Sequence, residues 1–174
     1  LGEDLGSSWK ENSFDDSNWA VGPAELGYGD GDENTIISYG SDEENKHITS
    51  YFRKSFEYQG PADSLRGLLK IRRDDGAIVY LNGVEMIRNN MPDGDINYDT
   101  RAVESIWGTA ENELTEYILE DISLESFNVI AVEIHQKSRF SADLSFDMSF
   151  SVSSSSEDIF STEEVLDINL NSDS

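Results

Sequence analysis

The chain has 174 residues, with 12 lysines and arginines against 36 aspartates and glutamates, a formal charge of −24. A surface that acidic repels phosphate backbones and anionic bilayers at long range, so nucleic acid and membrane insertion are not expected, while divalent cations and neutral ligands are favoured. Without cysteine there is no disulfide framework, thiolate chemistry or cysteine-bound metal, and 37% hydrophobic residues are enough to bury one domain of this length.

Gly2 to Trp19 is polar and turn-rich, and its Trp9, Phe14 and Trp19 are expected to plug one end of a sandwich, since rings of that size mostly pack. Gly27 to Thr35 is a glycine-punctuated acidic loop in which Asp30, Asp32 and Asn34 alternate as the opening ligands of a calcium loop do. These three are the expected calcium ligands, the rival reading being a solvated turn. Thr35 and Ser41 stand where an EF-hand needs glycine and glutamate, so any such site is completed from elsewhere in the fold. Gly40, in the polar loop Ser38 to Lys46, is expected to tolerate substitution.

Ser50 to Tyr58 reads as a strand with Phe52, Phe56 and Tyr58 on one face. Leu68 to Arg88 then organises the chain. Two apolar runs, Leu68 to Ile71 and Ala77 to Leu81, flank Arg72, Arg73, Asp74, Asp75 and Gly76, which predicts strand, tight turn, strand. Asn82-Gly83 is a strong hairpin signal before Val84 to Ile87, because both central residues of a type I′ turn need positive φ. The expected product is an antiparallel meander with Asp74 and Asp75 at an exposed corner.

Asn89 to Gly108 is expected as a long surface loop carrying Tyr98, Arg101 and Trp107. Leu114 to Ile122 is another strand. Asn128 to Gln136 places Ile130, Val132 and Ile134 on one face and Val129, Ala131, Glu133 and His135 on the other. Leu144 to Val152 alternates strictly, with Leu144, Phe146, Met148, Phe150 and Val152 facing in. With no sustained helical period before Ser153, the expectation is an all-β domain over 1–152, built as an antiparallel two-sheet sandwich. Residues 153–174 read as a serine linker followed by a docked tail or the start of a following domain, with Ser161 and Glu164 placed to cap a helical turn.

Catalysis has little support: there are two histidines, and no G-x-S-x-G, H-E-x-x-H or phosphate-binding glycine loop. An enzyme is not expected. His135 beside Glu133 reads first as a buried histidine bonded to a carboxylate and second as a polar ligand group. Asp74 and Asp75 read either as Asx-turn residues or as a ligand or calcium corner.

Phe14-Asp15-Asp16-Ser17-Asn18-Trp19, then YFRKSFEY, RRDDGAIVYLNG, NVIAVEIHQ and DLSFD, resemble the galactose-binding-domain-like jelly-roll modules of large secreted bacterial proteins. The same order is similar to the sugar-binding domain of family 2 glycoside hydrolases, over Trp9 to about Val152. DDGAIVYLNG also resembles the paired-aspartate motif of PA14-type lectins, in which adjacent aspartates hold calcium. FSTEEVLDINL distantly resembles the entry to a spore-coat-kinase-like domain. The resemblance implies a monomeric, non-catalytic accessory module, secreted or at a bacterial cell surface beside neighbouring domains of its chain. It implies that a polysaccharide or cell-surface glycan is bound, with a structural calcium in some members. The residues offered for such a ligand are Asp74, Asp75, Arg88, Tyr98, Arg101, Trp107 and His135, with Tyr28 as a further loop aromatic. The alternative is a spacer or protein-interaction sandwich without a glycan site.

Overall fold

The alternation that begins at Leu144 forms β9 (Leu144–Ser153), and one sheet is assembled on both of its sides. In the computed structural model, which describes residues 2–154 and the backbone of 166–169, β9 pairs antiparallel on one side with β4 (Leu65–Arg73). On the other side lies β1 (Leu26–Tyr28), in register from Leu26↔Phe146 to Tyr28↔Leu144. Further along that side is β10 (Leu166–Asn169), from Leu166↔Val152 to Asn169↔Ser149. A parallel β2 (Thr35–Ile36) flanks β1, and β7 (Thr115–Ile122) flanks β4. The second sheet is antiparallel, in the order β3 (Thr49–Glu57), β8 (Phe127–His135), β5 (Gly76–Leu81) and β6 (Val84–Asn89). Among the described residues the only helical turns are 3₁₀, at Ser8–Lys10 and Gly108–Ala110, so the fold is the expected all-β two-sheet sandwich. The cap expected at Ser161 and Glu164 lies outside the described residues.

The inward row Leu144, Phe146, Met148, Phe150 and Val152 meets Ala77, Val79, Leu81, Ile130, Val132 and Ile134 of the facing sheet. Phe52 joins them from β3, with its ring 4.4 Å from that of Phe146. Each such side chain, taken out of water, contributes roughly 1.5–3 kcal/mol, and together they hold the two sheets in register. The outer face of β4, β7 and β9 is polar, laced by Arg66–Glu120 at 3.0 Å and Lys70–Glu116 at 2.7 Å.

The central strands of the second sheet, β8 and β5, are buried on both faces. Ile78 and Tyr80 of β5 and Val129 and Ala131 of β8 point away from the sandwich core into a second cluster, closed by Trp9, Tyr51, Met91 and Ala102. Trp19, Phe14, Ile96 and Tyr98 pack at its margin, so the N-terminal segment and the loop after β6 form a lid over this sheet. Trp9, Phe14 and Trp19 are therefore packing residues, as their type predicts, but they cover the outer face of this sheet and not an end of the sandwich. Arg53 fastens the segment: its Nε donates to Asp16 Oδ2 at 2.8 Å and its Nη1 to the carbonyl of Trp9.

Two expectations need correction. The β5–β6 hairpin is present, with Asn82 at φ +49° and Gly83 at φ +81°, the two positive values of a type I′ turn. The first half of the meander is not. β4 pairs with β7 and β9, whereas β5 pairs with β6 and β8, so Asp74 and Asp75 carry the chain from one sheet to the other. For the same reason the corner is not exposed. Each aspartate is 1% exposed, because the crossing lies beneath the loops that follow β6 and β8.

Candidate functional site

The strand register gathers acidic side chains at one end of the β9 sheet. Tyr28↔Leu144 is the terminal pair of β1 and β9, so Asp30, two residues beyond Tyr28, and Asp143, just before Leu144, leave the sheet at the same end. On the opposite flank Arg73↔Phe146 ends the β4 pairing, and the amide of Asp74 donates to Ser145 O at 3.0 Å. Three neighbouring strands thus each deliver an aspartate to the same edge. Glu111, at the end of the Gly108–Ala110 turn, is brought to them by the loop after β6. One carboxylate oxygen from each of Asp30, Glu111 and Asp143 lies within 4.8 Å of the others.

Asp74 is not one of this group; no donor reaches either of its carboxyl oxygens, and its carboxyl is hydrogen-bonded to that of the adjacent Asp75. Burial, then the adjacent Asp75, then Asp143 and Glu111 push its carboxyl up to about 9. Burial raises Asp30 too, reinforced by Asp143 and Glu111. Tyr28 is buried with its hydroxyl unpartnered, and burial together with Asp74 and Asp143 drives that hydroxyl upward. Among the described residues, no arginine or lysine forms an ion pair with any of the four carboxylates. The Lys46 ammonium lies 5.7 Å from the Tyr28 ring centre and donates to the carbonyl of Ser141.

Asp75 behaves differently from its neighbour. Its Oδ1 accepts the amide of Ile106 at 2.6 Å and its Oδ2 that of Lys137 at 2.7 Å. One buried carboxylate therefore ties the loop after β6 to the loop after β8. Lys137 adds a second tie, its ammonium donating to Val103 O at 2.6 Å. On this support stand two rings that nothing covers: Trp107, next after Ile106 and 81% exposed, and Phe140 in the other loop, 71% exposed.

The remaining residues expected to bind ligand are placed as follows. His135 is fully buried; its Nδ1 donates to Thr100 O at 2.7 Å and lies 3.0 Å from the Thr49 hydroxyl, which itself donates to Tyr98 O. Its Nε2 lies 3.2 Å from Glu133 Oε2, without hydrogen-bond alignment, and Glu133 Oε1 accepts the Tyr80 hydroxyl at 2.7 Å. That is the buried histidine beside a carboxylate, and it fastens the 98–100 backbone to β8. Tyr98 packs in the second cluster. Arg88 grips both Glu85 oxygens at 2.8 Å and the carbonyls of Pro92 and Gly94, so it shapes the loop from within. Arg101 is exposed. Of the three expected calcium ligands, Asp30 joins the carboxylate group, Asp32 is exposed, and Asn34 donates its amide to Ala24 O at 2.8 Å.

Two clefts lie elsewhere. One, about 270 Å³, runs between the 19–22 strap and β3; its arginine, Arg53, is already bonded to Asp16 and Trp9. The other, about 210 Å³, is bordered by Trp9, Tyr51, Tyr80 and Glu133, whose faces are closed against one another. Neither offers a free ring. Sequence reasoning does not single out Glu111 or Asp143, since what joins them to Asp30 is the β1–β9 register, which no local pattern carries. No protein-family model matches the chain, and no curated protein sequence matches it.

Proposed function

We propose that this domain is a non-catalytic, carbohydrate-binding module of a secreted or cell-surface bacterial multidomain protein, and that it meets its glycan at the loop end bearing Trp107. The observation that carries the reading is Trp107 itself: a ring 81% exposed, beside a backbone amide fixed by a buried carboxylate. A free ring on a rigid support stacks on the apolar face of a sugar with little ordering cost. The carboxylates of Asp30, Glu111 and Asp143 are acceptors suited to hydroxyl groups, and the acidic surface favours a neutral glycan. The non-catalytic part of the reading is supported by His135, sealed from solvent and bonded to backbone.

Affinity electrophoresis against soluble plant, algal and microbial polysaccharides, guided by a glycan array, tests this. Wild type is expected to be retarded by at least one neutral polysaccharide, and Trp107→Ala to bind it ~10-fold or more weakly, a loss of ~1.4 kcal/mol. Retardation unchanged in the variant would move the site elsewhere. Silence across all the glycans would favour a spacer domain.

A further inference from the structure

We propose that the cleft between the N-terminal segment and the 96–98 loop binds a small primary ammonium ion, held by Glu133 and by the face of Tyr80 that Lys10 now covers. The cleft is about 210 Å³, and Trp9, Lys10, Tyr51, Tyr80, Tyr98 and Glu133 are among its lining residues. It shares no residue with the Trp107 end, so the inference stands whether or not a glycan binds there. The first observation is a buried carboxylate without a cation. The side chain of Glu133 is 7% exposed, and among the described residues no lysine or arginine pairs with it. Its Oε1 accepts the Tyr80 hydroxyl at 2.7 Å. Its Oε2 lies 3.2 Å from His135 Nε2, but His135 donates through Nδ1 to Thr100 O, so in the neutral ring Nε2 carries a lone pair and two acceptors meet. A buried charge is costly unless it is paired and hydrogen-bonded, and an N–H donor from the cleft would supply both.

The second observation is independent: a primary ammonium already rests in the cleft. Lys10 Nζ stands 4.1 Å from the centre of the Tyr80 ring, and among the described residues no carboxylate lies within 4.0 Å of it. Ring faces attract cations, so Lys10 shows which chemical group this face accepts. A free ammonium in its place gains Glu133 as well, which Lys10 does not reach. Burial, then Glu133 and Asp4, push the Tyr51 hydroxyl upward, as negative charge beside this wall of the cleft requires. One buried carboxylate among rings offers too few oxygens for calcium or magnesium. A quaternary ammonium lacks the N–H that Oε2 calls for. The volume is below the ~300 Å³ at which drug-sized pockets begin, which limits the ligand to a short alkyl chain, as in a lysine side chain or a free alkylamine. The charge of −24 enriches any such cation near the surface.

Titration of the full chain with n-butylammonium chloride at constant ionic strength, followed by nuclear magnetic resonance, tests the proposal. Saturable shifts are expected at the Trp9 indole and at the amides of Lys10, Tyr80 and Glu133, with a Kd of roughly 1–10 mM for so small a ligand. Glu133→Gln keeps an acceptor for the Tyr80 hydroxyl and should weaken binding ~10-fold or more. Lys10→Ala uncovers the Tyr80 face and removes a like charge, so it should tighten binding about 2- to 5-fold. n-Butanol and tetramethylammonium should each bind at least ~10-fold more weakly than n-butylammonium. Nα-acetyl-lysine methylamide separates the two sources of this chemistry: binding as tight as that of n-butylammonium supports a lysine of a polypeptide, and its exclusion supports a free amine. No saturable shift up to ~100 mM n-butylammonium would overturn the proposal. So would equal binding of n-butanol or tetramethylammonium, an unchanged Kd in Glu133→Gln, or weaker binding by Lys10→Ala, which decides the matter alone if Glu133→Gln does not fold.

Discussion

Replacing Asp75 by asparagine keeps the shape of the side chain and removes one of its two acceptors. In the native protein Oδ1 and Oδ2 each receive a backbone amide, from Ile106 at 2.6 Å and from Lys137 at 2.7 Å. In the variant an NH₂ group must face one of these amides, donor against donor, at a position 1% exposed. An unpaired buried amide costs ~1–3 kcal/mol, and the surviving bond loses its charge assistance, about 1 kcal/mol more. A total of roughly 2–4 kcal/mol corresponds, for a domain of this size, to a Tm lower by about 5–15 °C. The same substitution one residue earlier should behave otherwise. Asp74 accepts no backbone amide on either oxygen, so Asp74→Asn should melt within a few degrees of wild type. Thermal melting read beside hydrogen exchange at the Ile106 and Lys137 amides decides the matter. If Asp75→Asn melts within ~1 °C of wild type and both amides stay protected, Asp75 does not staple the two loops.

The parts of this fold legible in the sequence are those carried by neighbours along the chain. Period two placed Leu144, Phe146, Met148, Phe150 and Val152 inward because alternation is a property of one strand, and Asn82-Gly83 marked its turn because the φ requirement is local. Pairing partners are not local. A short polar stretch between two apolar runs looks the same whether the chain folds back in one sheet or crosses to the other, so Asp74 and Asp75 read as a hairpin corner. The run Ala77 to Leu81 did hold a clue, since it lacks the polar alternation of a strand with one wet face. Its outer face is covered by Trp9 and by the loop after β6, and every residue of β5 is buried. Gly40 is likewise not the tolerant position that its polar loop suggests. Its φ is +111° and an added Cβ would lie 2.8 Å from His47 Nε2, a constraint set by tertiary packing that a polar loop composition does not show. At the site, Asp30 stood out through its glycine-rich loop, but Glu111 and Asp143 become its neighbours only through Tyr28↔Leu144 and the course of the loop after β6.

Gly83→Val should lower stability, because a β-branched residue at φ +81° costs ~1–3 kcal/mol; at a urea m-value of ~2 kcal/mol/M the midpoint should fall by about 0.5–1.5 M. Glu43→Gln, on the exposed polar loop, is the control, and a Gly83→Val midpoint equal to it would show that the turn does not set the β5–β6 register. Arg53→Met retains the aliphatic stem but leaves the carbonyl of Trp9 and the carboxylate of Asp16 without their donor. The side chain of Arg53 is 3% exposed and that of Asp16 43%, so solvent screens the Asp16 half and most of the loss falls on the bond to Trp9. That is a charge-assisted bond in a buried setting, for which a loss of ~1.5–3 kcal/mol is the expected scale. Because Arg53 joins the N-terminal segment to β3 without entering the sandwich core, its removal should free the lid before the sheets. Amides of Glu11 and Phe14, which donate to Ser8 O and Glu11 O, should exchange faster while those of β8 and β9 stay slow. Uniform acceleration across β8 and β9 would instead mean that the lid and the sandwich open as one unit, and that the second cluster is an integral part of the core.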